Sequence, residues 1–267
     1  MVGYKLIQLL ADSGIHLRPI RPLIAALILF CSQSLYAQPV TIAVAANMKD
    51  AFAEINRSFR ATGKPELRVV FGSSGNFTAQ ILNGAPYSLL IAADENFPLE
   101  LFKAGKTADE GTIYATGKLA LIAKKSLNLP SAANKVDIAR AITRANKIAI
   151  AKPELAPYGK AAVQYLKSEG IWNLAKDKLV YADNIAVATM YVASGAADIG
   201  FTALSLAMSP EVMKSSSYSV LNYSMYDPIK QRMILMKGAP IEAVDLYRFM
   251  QSPQAKLILN QYGYNTP

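Results

Sequence analysis

Leu67-Arg68-Val69-Val70-Phe71-Gly72-Ser73-Ser74-Gly75-Asn76-Phe77 carries a strand, a turn and the start of a helix in one short stretch. The apolar run 67–71 has strand character, and Phe77, Ile81 and Leu82 continue as one face of a helix. Between them, glycines flank two hydroxyls. A turn of that kind aims free backbone N–H groups and side-chain O–H donors at one point, and the helix dipole adds partial positive charge there. Alone, a Gly-Ser turn is most often only a turn. Its worth depends on what surrounds it.

Working outward, strand and helix patterns alternate. Residues 40–44 form an apolar strand run, and Asn47 is placed to cap a helix with Asp50 in capping-box position. Phe52, Ile55 and Phe59 then share one face until Gly63. Asn83-Gly84-Ala85-Pro86 stops the second helix, residues 88–92 read as a third strand, and Asp94 caps the third helix. This βαβαβα order predicts a parallel sheet with helices on both faces. The pattern restarts with a strand at 119–123, a helix at 136–145 and a strand at 148–151. Pro157 opens a helix, 179–181 is a strand, and Asn184 caps a helix ending at Gly195. Short strands at 199–201 and 233–236 precede helices from Pro240 and Pro253. Two α/β halves joined near 115–125 and 222–236, with the chain returning to its first half, make a cleft with a hinge.

The first 37 residues read as an export signal. Arg18 and Arg21 precede an apolar run from Leu23 to Cys31, and Leu35-Tyr36-Ala37 suits a signal peptidase. The run is short for a membrane span, and Phe30 before Cys31 does not suit lipoprotein processing. The single cysteine (Cys31) and single histidine (His16) both leave with this segment. What remains lacks a thiol and an imidazole, which excludes Ser-His-Asp and Cys-His catalysis and thiolate or imidazole metal sites. A Ser-Lys dyad or an all-oxygen metal site passes this filter without a motif to support it. The chain is basic, with a net charge of +9. Its lysines and arginines are scattered rather than striped with aromatics, so no nucleic-acid surface is expected.

Three further strand-to-helix turns share the chemistry of Gly72-Ser73-Ser74-Gly75. They are Val44-Ala45-Ala46-Asn47, Pro153 to Gly159, where Tyr158 supplies a free N–H behind Pro157, and Ala182-Asp183-Asn184-Ile185. Ligands of open α/β sheets sit beyond the carboxyl ends of strands, so two turns from each half would face one another across the cleft. Each element has an ordinary reading too: Asn47 and Asn184 as caps, Ser74 as structural, Tyr158 and Ile185 as core. Together, on a chain stripped of His and Cys, they favour a receptor for a small oxyanion. Phosphate still carries a proton at neutral pH and calls for an inward acceptor; Asp183 is the nearest carboxylate to consider.

Val44-Ala45-Ala46-Asn47, Phe71-Gly72-Ser73-Ser74-Gly75, Ile81 to Pro86, Ile91-Ala92-Ala93-Asp94-Glu95, Pro153 to Gly159, Gly195 to Phe201 and Tyr262-Gly263-Tyr264 resemble the periplasmic molybdate-binding proteins of ABC transporters. The resemblance covers essentially the whole chain after the signal. It implies an α/β fold of two lobes, each a mostly parallel sheet flanked by helices, with a hinge between. The signal would occupy 1–37, the first lobe 38–118 plus 230–267, and the second lobe 119–229. By motif, the oxyanion-binding residues would be Asn47 and Ser74 from the first lobe and the amides of Tyr158 and Ile185 from the second. Ala46 and Ser73 stand beside them. Molybdenum would be held only as its oxyanion, with no protein ligand to the metal, no cofactor and no catalysis. The resemblance further implies tungstate as a second ligand, a membrane ABC permease as partner, a periplasmic location and a monomer. Two departures stand out. Many members have serine where Asn47 stands, and many have a tyrosine donor where this chain has Ala203. Sulfate or another small anion is the alternative ligand, and a hydrolase using Ser73 or Ser74 with Lys160 the alternative activity.

Overall fold

The computed structural model describes residues 40–267; the expected signal segment, with Cys31 and His16, lies outside the described residues. Two five-stranded sheets organise the chain. The first has the order β2-β1-β3-β10-β4, from β1 (Thr41–Ala45), β2 (Arg68–Gly72), β3 (Tyr87–Ile91), β4 (Thr112–Gly117) and β10 (Ile229–Leu235). The second has the order β7-β6-β8-β5-β9, from β5 (Leu119–Lys124), β6 (Ile148–Ala151), β7 (Leu179–Ala182), β8 (Ile199–Ala203) and β9 (Ser216–Val220). In each, one strand runs against the rest: β10 is antiparallel to β3 and β4, and β5 is antiparallel to β8 and β9. The sheets are therefore mostly parallel, as the βαβ alternation requires, with one reversed strand apiece. The chain enters the opposite lobe through these reversed strands rather than through a helical crossover.

β1, β3, β5 and β6 are largely buried, and their buried positions are all apolar, as strands covered on both faces must be. Helix α1 (Lys49–Arg60) packs Phe52, Ile55 and Phe59 onto the first sheet, while Arg57 and Arg60 end it favourably for the dipole. Helix α2 (Ser74–Leu82) and α3 (Asn96–Lys103) follow β2 and β3. Helix α4 (Lys135–Arg144) begins with a full capping box between Asn134 and Asp137, a start signal that the apolar periodicity alone does not reveal. Helix α5 (Pro157–Ser168) opens on Pro157 as expected, α6 (Trp172–Ala175) is a short turn, and α7 (Ile185–Ala193) is capped by Asn184, whose side chain accepts from the Val187 N–H.

Helices α8 (Leu204–Ala207) and α9 (Pro210–Ser215) precede β9. Helices α10 (Ile241–Phe249) and α11 (Pro253–Gln261) return to the first lobe, where Leu246, Met250, Ile258 and Tyr264 join the core of Phe52 and Ile91. Tyr158, Tyr165, Phe201 and Ile150 anchor the core of the second lobe. At the crossing into that lobe, Gly117 is required by packing: a Cβ there would collide with the Tyr158 hydroxyl. None of the described helices is long and apolar enough to cross a membrane.

Candidate functional site

The carboxyl ends of β1, β2, β6 and β7 release the chain into the four turns read from the sequence. After β1, Ala46–Met48 makes a single 3-10 turn before α1. Asn47 lies inside that turn and makes no cap, which corrects the capping-box expectation. Its side chain is drawn inward instead, where Nδ2 donates to Gln231 Oε1 at 3.0 Å and to the Tyr264 hydroxyl at 2.8 Å. Tertiary partners outcompete the local cap.

After β2, Ser73 adopts extended backbone and α2 starts at Ser74. Ser74 Oγ accepts from the Ala93 N–H at 2.9 Å, which leaves its own proton to donate elsewhere. Ser73 Oγ is buried and has no hydrogen-bond partner among the described residues. In the second lobe, Tyr158 is the second residue of α5 and Ile185 the first of α7. Helix geometry leaves N–H groups at these positions without an intrahelical acceptor.

Ala46, Asn47, Ser73, Ser74, Tyr158 and Ile185 all line one small crevice between the lobes, together with Ala45, Gly72, Ala93, Ala156 and Pro157. The structure therefore brings the six residues named from the sequence for the oxyanion site to one place. Each is at most 4% exposed. Among the described residues, no charged side chain lines the crevice. Its volume is about 10 Å³, roughly the space of one water. A tetrahedral oxyanion needs more room than that, so its entry requires the walls to part.

The lobes meet directly across this crevice. The Gly75 N–H donates to the Leu155 carbonyl at 2.9 Å, and Ser205 Oγ donates to the Asn47 carbonyl at 2.8 Å. Behind the crevice, fully buried Gln231 donates to the Tyr158 hydroxyl at 3.0 Å and accepts from Asn47 and from Tyr114. Burial pushes the phenols of Tyr114, Tyr158 and Tyr264 up, so all three stay protonated. Gln231 escapes a reading of the sequence, because a polar residue between Lys230 and Arg232 looks like a solvated strand end.

Three other sequence-named residues fall elsewhere. Asp183 is exposed and ion-paired with Lys152 at 2.6 Å, so it offers the crevice no acceptor. Ala203 ends β8 fully buried and does not line the crevice. Lys160 lines a separate, larger cavity of about 310 Å³ with Asp94, Asp227 and Lys230, not the one that holds Ser73 and Ser74. In that cavity burial raises the Asp94 carboxyl to about 6, against hydrogen bonds from the Phe97 and Asn96 N–H groups and the nearby Lys160 charge. Among the described residues, no group of His, Cys, Asp and Glu is arranged to hold a metal ion.

Two mixed sheets with the same strand order, and a polar but uncharged crevice at the facing strand ends, define a two-lobed solute-binding protein. The chain belongs to the bacterial extracellular solute-binding proteins, whose family model matches residues 40–265. It is 36% identical over 234 residues to a molybdate-binding protein of Azotobacter vinelandii, covering 85% of this chain and 90% of the relative. It is 33% identical to a molybdate-binding protein of Rhodobacter capsulatus, covering 86% and 89%. A solved periplasmic molybdate-binding protein of Azotobacter vinelandii superposes with a TM-score of 0.77 at 29% identity, covering 85% of this chain and 99% of that one. These relatives are binding proteins, and this chain is a solute-binding protein rather than an enzyme.

Proposed function

We propose that this chain captures molybdate, and tungstate with it, outside the cytoplasm and hands it to an ABC permease. The observation that carries this reading is the buried, charge-free crevice where helix starts of both lobes converge around Asn47, Ser74, Tyr158 and Ile185. In this reading the Ser74 hydroxyl, the Asn47 side chain and the Tyr158 and Ile185 amides hold the oxyanion. Ala46 and Ser73 complete the wall, and the Ser73 hydroxyl, otherwise unpartnered, gains an acceptor.

Dipoles suffice for such a ligand. A hydrogen bond to a charged group contributes about 1.5–3 kcal/mol. Each helix start adds roughly 0.3–2 kcal/mol. Several together exceed the roughly −8 kcal/mol of micromolar binding even after association costs. Because two donors come from each lobe, the ligand holds the lobes together, and the closed form is what a permease would engage. The metal stays inside its oxygen shell and needs no protein ligand. The amino-terminal segment would serve as the export signal, and the released receptor would act as a periplasmic monomer.

Isothermal titration of the protein lacking residues 1–37 with molybdate, tungstate, sulfate and phosphate tests the assignment. Molybdate and tungstate should bind at micromolar concentration or below, and sulfate and phosphate more weakly. A stronger response to sulfate would overturn the molybdate reading.

A further inference from the structure

Asn47 and Gln231 form a pair whose hydrogen-bond directions are coupled. As oriented, Asn47 spends both N–H groups on Gln231 Oε1 and the Tyr264 hydroxyl. Its Oδ1 is left buried with no partner among the described residues, on a residue that lines the crevice. That orientation offers an acceptor to the ligand, which suits a protonated anion and opposes a fully ionised one. Neither amide can turn alone. If Asn47 turned by itself, its Oδ1 would face Gln231 Oε1, acceptor against acceptor.

Turned together, both amides are satisfied on the same atoms. Gln231 Nε2 then donates to Asn47 Oδ1 and to the Tyr114 hydroxyl, whose own proton goes to the Ala92 carbonyl, a contact of 2.9 Å. The Tyr158 hydroxyl donates to Gln231 Oε1 across the 3.0 Å contact, and Tyr264 donates to Asn47 Oδ1. Ser205 still holds the Asn47 carbonyl. The turned setting gives up the Tyr264 proton now shared between Ser205 Oγ and the Asn47 carbonyl, contacts of 2.9 Å each, and in return Asn47 shows N–H donors where the unpartnered oxygen stood. The three phenols are able to reverse because each both donates and accepts.

We propose that Gln231 is a positioning residue that sets whether Asn47 presents a donor or an acceptor to the oxyanion. In the donor setting the site favours a fully ionised anion over one that carries a proton. Gln231 touches Tyr158 of the second lobe as well, so the setting is completed only when the lobes are closed. The inference rests on the oxyanion reading above.

Isothermal titration with molybdate of the unaltered protein, Gln231→Met, Asn47→Ser and the double variant tests it. Gln231→Met should weaken molybdate about tenfold in the Asn47 background and by no more than about twofold beside Asn47→Ser, whose hydroxyl rotates freely. The side-chain amide NMR signals of both Asn47 and Gln231 should shift when molybdate is added to the unaltered protein. An equal loss in both backgrounds, or unmoved Gln231 signals, would show a merely structural role and overturn the proposal. Should Gln231→Met not fold, the NMR signals of the unaltered protein decide. Failure of the unaltered protein to bind molybdate would instead reject the oxyanion reading itself, and this one with it.

Discussion

The Gly75 N–H, at the start of α2 in the first lobe, donates to the Leu155 carbonyl of the second lobe at 2.9 Å. A helix-start amide that would otherwise face a ligand is thus spent on closing the cleft. The approach is possible only because position 75 lacks a side chain. A Cβ there would lie 2.7 Å from Phe97 Cζ and 3.0 Å from both Leu155 Cα and its carbonyl oxygen. Gly75→Ala should therefore wedge the lobes apart while each lobe stays folded. Molybdate affinity should fall about tenfold or more, since closure sets a binding-competent fraction. Small-angle scattering of the liganded variant should show a larger radius of gyration than the unaltered complex. An unchanged radius and affinity would mean that Leu155 yields to the methyl group.

Ser74 joins two roles in one atom. Its oxygen accepts from the Ala93 N–H, and its proton is free for the crevice. Ser74→Ala removes the donor and strands the Ala93 amide. Loss of one hydrogen bond to a buried charged ligand costs about 1–3 kcal/mol, so the molybdate Kd should rise by roughly 5- to 150-fold. Titration calorimetry reads this directly. An unchanged Kd would remove Ser74 from the site.

Much of this site was legible because its parts are local. Pro157 and Asn184 announce helix starts within a few residues, and apolar runs such as Ala43-Val44 and Ile148-Ala149-Ile150 announce buried strands. Strand-end topology supplied the convergence of the turns, and the resemblance added the molybdate reading; no single turn carries either. What stayed hidden depends on contacts far apart in sequence. Asn47 looks like a cap, yet Gln231 and Tyr264 claim its side chain from the other end of the chain. Ser216 to Val220 gives no strand signal, because its serines break any apolar alternation. It pairs with β5 along its whole length, and Ser219 Oγ accepts from the Ala133 N–H.

Lys160 is the lysine considered as a serine-activating base, and its position gives a negative prediction. It belongs to the cavity around Asp94 and Asp227 rather than to the crevice of Ser73 and Ser74. Lys160→Met should leave molybdate affinity within about twofold, the size of a distant surface charge. A fluorophosphonate probe should label neither serine, before or after the substitution. Labelling of Ser73 or Ser74 that disappears in Lys160→Met would contradict the receptor assignment.

Asp94 makes stability depend on pH in an unusual direction. Burial raises its carboxyl from 3.8 to about 6, even though Phe97 and Asn96 donate to it. Its Oδ1 lacks a partner among the described residues. Above about pH 6 the group is ionised in both the folded and unfolded chain, and folding carries the full cost of burying the charge. Below about pH 4 it is protonated in both, and the cost is gone. The Asp94 contribution therefore becomes more favourable as pH falls from 6 to 4, by up to about 3 kcal/mol. Asp198 runs the other way: its hydrogen bond with Lys124 holds its carboxyl low, a stabilisation lost in acid. A total melting curve blends the two, so the comparison must be with a variant. Asp94→Asn keeps an acceptor for the start of α3 and removes the charge. It should melt roughly 5–10 °C higher than the unaltered protein at pH 7, with the gap closing by pH 4. Scanning calorimetry across that range measures the gap. A difference that does not change with pH would mean that the Asp94 carboxyl is not held near 6 in the folded chain.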